Sequence, residues 1–420
     1  MHTGAVMTPP GRVGSRAPCS AVAAMLCALL LSLLPATAIG AGWSTLKRVT
    51  DERTSRFDSL HQLAADSGTF HVVHPRVGPN TTDDRVFYQR SDDHGKTWTD
   101  VSTLFQATNT QRNVVPNLAI AAKGDVVAVA WRVSGPEEHA MFVRVSRDGG
   151  RSFGQRKDIF ATRRDDGIGV PAVAIGSKGR VVVVAWTDRA TRRVLLRTSR
   201  DGGRTFGDAR TLGRTGLSID CRERLTDGLV GLAASRRFIH AAWSDAPTRR
   251  CQASSIETRR SGDRGRTWEP ARTVTSRRSY GWPELDARGR TVMATVQAPS
   301  GDVIVARSAD DGSSWSDRLL KAPKGYSFSA ADVVLLPDRK AIITYVNERL
   351  RKAKLLGTKV VSRWSPDDGA SLRQPKIVAA EAKRLRMAPN IATDGTRVGI
   401  VVQSGPLSGS PRNLYISRLR

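Results

Sequence analysis

The residues best equipped for chemistry in this chain are arginines, and they come in groups. Arg163 and Arg164, Arg192 and Arg193, Arg222 and Arg224, Arg249 and Arg250, Arg277 and Arg278, and Arg384 and Arg386 sit in polar stretches between apolar runs, as do Arg349, Arg351 and Lys352. A guanidinium is a permanent cation with a planar fork of donors, suited to a carboxylate, sulfate or phosphate. Acids, an amide and aromatics stand close to the starts of several apolar runs: Asp58, Asn113, Asp166, Asp227, Tyr280, Trp282 and Tyr326. Such a mixture suits a sugar. The expectation is a site for an anionic sugar or another polyanion. The plain alternative is a solvated basic surface.

A second set of acids has a fixed neighbourhood. Ser199-Arg200-Asp201-Gly202-Gly203-Arg204-Thr205-Phe206 recurs with variation from Ser91, Ser146, Ser261, Ser308 and, most degraded, Ser365. The pattern is S-x-D-x-G-x-(S/T)-aromatic, and its copies lie 47 to 62 residues apart. Asp93, Asp148, Asp201, Asp263, Asp310 and Asp367 are expected to accept hydrogen bonds from turn N–H and hydroxyl groups. The glycine supplies a backbone angle other residues resist, and the ring plugs the turn into apolar surface. These aspartates are therefore read as structural. The period is that of one four-stranded propeller blade.

The elements between the turns fit that period. Each unit holds a first strand, a second strand, a third strand ending in the turn, and a short fourth. In the second unit these are Val115 to Ile120, Asp125 to Trp131, Ala140 to Ser146 and Asp158 to Ala161. β-Branched runs broken by Gly and charged pairs argue for strands. A last unit beginning at Ala388-Pro389-Asn390-Ile391 runs to Ser417 and lacks a fourth strand, which Trp43 to Asp51 can supply. The fold class is thus all-β, a β-propeller of seven blades with six as the alternative, closed by strands from both ends of the chain. Pro116, Pro171, Pro283 and Pro389 fit inner strands with one edge free. The arginine groups all fall in loops opposite the repeated turns, around the channel mouth. The ligand-binding candidates are Arg164, Arg193, Arg222, Arg224, Arg250, Arg278, Arg349, Arg386 and Trp282.

The repeated turns resemble the Asp-box, or BNR, repeat of the sialidase-like β-propellers, over the whole chain after the leader. The resemblance implies that the boxes lie away from the active-site mouth and carry no chemistry. Sialidases of this kind use three arginines on the substrate carboxylate, a Tyr nucleophile paired with a Glu, and an Asp acid/base. Carried over, the weak catalytic candidates are Tyr280, Tyr326, Glu223 and Asp58. The Arg-Ile-Pro motif of those enzymes is absent; His74-Pro75-Arg76-Val77 is only superficially alike. Tyr345 and Glu348, three apart on one strand, should face opposite ways. Those sialidases have six blades, so a count of seven departs from them. The leading expectation is binding of an anionic glycan or other polyanion without catalysis. An exo-α-sialidase and a protein-interaction scaffold are the alternatives.

Composition bounds the rest. The 420 residues carry a formal net charge of +27, which draws the chain to anionic surfaces in a salt-dependent way. Residues 1–41 have Arg12 and Arg16, an apolar run from Ala21 to Leu34 and the small-residue site Ala36-Thr37-Ala38. This reads as a cleaved signal peptide, with an uncleaved anchor as the alternative, followed by one propeller domain over 42–420. The protein is expected to be secreted or in the cell envelope. Cys221 and Cys251 then remain as one disulfide candidate, bracing the fourth unit's mouth. No metal site, cofactor motif or nucleic-acid motif is apparent, and a monomer is expected.

Overall fold

The computed structural model describes residues 42–50, 61–76, 84–107, 113–134, 139–163, 168–215, 230–245, 255–351, 354–381, 384–406 and 413–419. The leader and the two cysteines lie outside them.

Second strands set the architecture. All eight residues of Val181–Asp188 are buried. A strand apolar on both faces must be covered on both, and the neighbouring sheets do this. Seven antiparallel four-stranded sheets form around a central channel. Each of the seven blade-to-blade contacts has its own apolar cluster; Trp131 lies between blades 1 and 2, and Trp186 between blades 2 and 3. The innermost strands are Gln62–Asp66, Asn113–Lys123, Ala172–Gly176, Val230–Ala234, Tyr280–Arg288, Tyr326–Leu335 and Arg384–Thr393.

Blade 7 takes its outer strand from the start of the chain, as expected. Lys47 pairs with Ile416 and Arg48 with Tyr415, and Trp43 bridges to Leu419. Val49 N–H donates to Leu414 O at 2.8 Å. Joining first and last strands removes both free sheet edges.

The prolines have a more specific role than edge tolerance. The inner strands of blades 2, 5, 6 and 7 shift register between Val114 and Leu118, Tyr280 and Glu284, Ser329 and Asp332, and Met387 and Asn390. Pro116, Pro283 and Pro389 fall inside three of these bulges, where no ladder N–H is needed.

The Asp boxes are built as the residue types require. Asp201 accepts from Ser199 Oγ at 2.7 Å, Arg204 N at 2.8 Å, Thr205 N at 3.0 Å and Thr205 Oγ1 at 2.6 Å. Ser199 Oγ in turn accepts the Gly203 N–H at 2.7 Å. Desolvation pushes such carboxyls up, but the Ser and Thr bonds outweigh it and hold Asp148 and Asp263 down at about 2. The boxes also tie blades together. Gly150 has φ +82°, and a Cβ there would sit 1.8 Å from the hydroxyl of Tyr88 in blade 1. Gly203 approaches Val145 of blade 2 in the same way.

Arginines complete this ring. Arg90 Nη1 donates to Gly149 O at 3.2 Å, Arg200 Nη2 to Gly265 O at 3.3 Å, Arg260 Nη1 to Asp311 O at 2.6 Å and Arg307 Nε to Asp368 O at 2.7 Å. Each reaches from one blade to the Asp box of the next. His94 Nδ1 and Asp394 Oδ2, 2.8 Å apart, join blades 1 and 7.

Candidate functional site

An inner strand has no ladder partner on its channel side, so its outward N–H groups need other acceptors. Carboxylates supply two of them, and a third carboxylate ties the turn that follows an inner strand. Asp66 Oδ2 accepts from Gly124 N at 2.8 Å, while its Oδ1 meets Lys123 Nζ at 2.8 Å. Asp286 Oδ2 accepts from Leu335 N at 2.7 Å, and Asp332 Oδ2 from Ile391 N at 2.9 Å. Each bond runs from one blade to the next.

The channel these strands enclose measures about 440 Å³. Its walls differ by side. One level is defined by residues that pair across the inner hairpin with Val73, Ala130, Ala185, Ala242, Thr295, Thr344 and Val401; they are Gln62, Ala119, Ala172, Gly231, Glu284, Asp332 and Asn390. Blades 2 to 4 thus contribute Ala, Ala and Gly, while blades 5 to 7 and 1 contribute two carboxyls and two amides. Gly231 is required where it stands: a Cβ would lie 2.0 Å from Pro283 O of blade 5. Two residues further along, Asp286 adds a third carboxyl on the polar side.

These carboxyls are half-buried, reached by solvent through the channel. Burial pushes Asp332 up to about 7 in spite of the N–H groups of Ile391 and Val333. Burial, reinforced by the Asp332 charge, pushes Glu284 well above the carboxylate range. Asp286 is also raised by burial, against the bonds from Leu335 and Ala287. Close carboxyls in a low-dielectric recess cannot all ionise at once. By themselves these carboxyls hold back part of their charge near neutrality, and a cation placed among them would favour their ionised, accepting forms.

The mouth lies at the other end of the blades from the Asp boxes. The turn after Val181–Asp188 is tied by Asp188, which accepts from Ala190 N at 3.1 Å and Thr191 Oγ1 at 2.6 Å. It presents Arg192 and Arg193 to solvent. Arg278 and Arg349 are exposed as well, and Arg349 pairs across strands with Tyr326, itself 36% exposed. Among the described residues, no carboxylate forms an ion pair with Arg192, Arg193, Arg278 or Arg349. Arg277, by contrast, is bonded to Asp317.

The remaining expected site residues are not brought into this picture. Arg164, Arg222, Glu223, Arg224, Arg250, Asp58, Asp166, Asp227, Cys221 and Cys251 lie outside the described residues. So do the side chains of Asn113, Tyr280, Trp282 and Arg386. Tyr345 is 1% exposed, receives Arg363 Nε at 3.2 Å and packs on Phe328. Glu348, on the opposite face, accepts from Ser329 Oγ at 2.6 Å. Glu284, Asp286, Asp332 and Asn390 were missed, although Glu284 and Asn390 each directly follow a proline of an inner-strand bulge.

Residues 31–218 match the BNR repeat-like domain family. Among curated proteins, no sequence matches. A phage phi92 endosialidase is similar in structure, with TM-score 0.52 and 9% identity over 90% of this chain and 69% of its own. A variant of the NanB sialidase of Streptococcus pneumoniae is similar with TM-score 0.50 and 11% identity over 89% of this chain and 70% of its own. At these identities the likeness is one of fold. With six Asp boxes and seven four-stranded blades, this chain is a seven-bladed β-propeller with Asp-box turns, and its first half is similar to the BNR repeat-like domain family.

Proposed function

We propose that this is an exported propeller that binds an anionic glycan or a related polyanion on its basic mouth, without cleaving it. One observation carries the reading: arginines beside the box serines and arginines at the mouth are used differently. Arg90, Arg200 and Arg307, each next to a box serine, are bonded to backbone carbonyls of the next blade. At the mouth, Arg192, Arg193, Arg278 and Arg349 stand exposed with no carboxylate partner among the described residues. An exposed, uncompensated cation beside an aromatic such as Tyr326 favours a sugar carrying negative charge. The sialidase neighbours support a glycan ligand in kind. Two described tyrosines, Tyr88 and Tyr345, are buried and bonded to His71 and Arg363, which takes them out of nucleophilic use.

The test pairs binding with turnover. Mature protein is titrated with polysialic acid and heparin at two salt concentrations, and assayed with a fluorogenic sialoside from about pH 4 to pH 8. The expected result is binding that weakens with salt, and no hydrolysis. Hydrolysis that vanishes in Tyr326→Phe or Tyr280→Phe would replace this reading with an exo-sialidase. Absence of binding to either polyanion would remove the mouth as a polyanion site.

A further inference from the structure

The channel wall formed by blades 5 to 7 has a different chemistry from the mouth. We infer that Glu284, Asp332 and Asn390 form a recognition site for a primary ammonium group on a small ligand, an amino sugar in its protonated form.

Three observations carry this. Asn390 is 8% exposed, and its Oδ1 has no hydrogen-bond partner. Its amide lies beside the Asp332 carboxylate, so the orphaned acceptor belongs to the acidic cluster. A buried acceptor without a donor costs stability unless a ligand or water supplies one. Next, Asp332 is fixed by two backbone donors, Val333 N at 2.7 Å and Ile391 N at 2.9 Å, which aim it without neutralising it. Lastly, Glu284 stands one blade away at the same level, and no described residue makes a hydrogen bond to its carboxyl.

The cluster therefore offers acceptors in excess of donors. A hydroxyl brings one donor and its own acceptors. An ammonium brings three donors, no acceptor and a compensating charge. A divalent ion fits poorly: among the described residues no three His, Cys, Asp or Glu lie close enough to hold a metal. Opposite the acids, Ala119, Ala172 and Gly231 make a small, flat wall that a carbon skeleton can cover. The channel, about 440 Å³, has the size of a small-ligand cavity. The outer surface repels cations, but that repulsion is screened by salt within about 10 Å, whereas recessed carboxyls act at contact.

Glucosamine, N-acetylglucosamine and glucose are titrated against the mature protein by calorimetry at pH 7. Glucosamine should bind at least about tenfold more tightly than either neutral sugar. Glu284→Gln, isosteric and expected to fold, should abolish that preference, while Arg266→Gln, at an exposed position of an Asp-box turn, should leave it intact. Thermal melting of Glu284→Gln confirms the fold, and methylammonium competition provides a second readout on the wild-type protein. Equal binding of the three sugars, no glucosamine binding, or a preference that survives Glu284→Gln would each overturn the assignment.

Discussion

The two ends of this propeller use the same residue in opposite ways. At the Asp-box end, arginines beside the box serines reach carbonyls of the next blade and close the ring. At the mouth, arginines of the same abundance are held out into solvent, as by the Asp188 turn under Arg192 and Arg193. Net charge alone does not distinguish these uses. The partner does: a cation on a backbone carbonyl is part of the fold, and one without a carboxylate or carbonyl is available to a ligand.

The comparison is broken most forcefully at a box glycine. Gly150→Ala places a Cβ in a left-handed backbone against Tyr88, a contact of 1.8 Å before relaxation. A loss of about 3 kcal/mol or more is expected, read as a lower urea midpoint. Polyanion affinity of the folded fraction should not change. A binding defect in protein that remains folded would mean the Asp-box end belongs to the ligand site.

The mouth should answer in reverse. Arg193→Glu combined with Arg278→Glu and Arg349→Glu should lower heparin affinity by about 100-fold at low salt, and by less at high salt. Stability should stay within about 0.5 kcal/mol per substitution, since all three side chains are exposed. Unfolding of this variant would show that the mouth arginines also hold the ring.

A pH series separates the closing seam from the channel. His61 and His74 are buried; burial lowers them to about 4 and about 3, with the charge of His61 adding to the effect on His74. Between pH 6.5 and those values, the unfolded chain binds protons that the folded chain refuses. Their contribution is full above 6.5 and is lost as pH falls through about 4 and 3. Asp332 works in the other direction. Burial raises it to about 7, so the folded chain holds a proton that the unfolded chain has released above about 4. Its contribution is full below the unfolded value and is lost as pH rises through about 7. Chemical denaturation should thus give a maximum at mildly acidic pH. His74→Gln should flatten the acid side and Asp332→Asn the neutral side. Unchanged profiles in both variants would show that other groups set the limbs.

Much of this was legible beforehand because the repeats constrain one another. Six Asp boxes fix where third strands end, and the incomplete last unit requires the strand at Trp43. The seven sheets and their closure follow. The channel wall was not legible, because bulges decide which residues reach the channel. Inner strands read from their starts point to Tyr280 and Tyr326, whereas the register shift after Tyr280 brings Glu284 into the ring with Asp332 and Asn390. The arginine stitching left a signal that was overlooked. Arg90, Arg260 and Arg307 directly precede a box serine and Arg147 and Arg200 directly follow one, a recurrence that a solvated surface has no reason to keep.

The finest test sets two single arginines against each other. Arg200→Gln removes one bond of 3.3 Å to Gly265 O between blades 3 and 4. A neutral acceptor then loses a charged donor at a partly exposed site, where water substitutes in part. The expected cost is about 0.5 to 1 kcal/mol, a small fall in the urea midpoint with heparin elution unchanged. Arg193→Gln, at the other end of the same strand, should leave the midpoint alone and shift elution to lower salt. The difference is interpretable because both substitutions remove the same charge. If the two variants elute together, bulk charge governs binding and the division between the two ends does not hold for function.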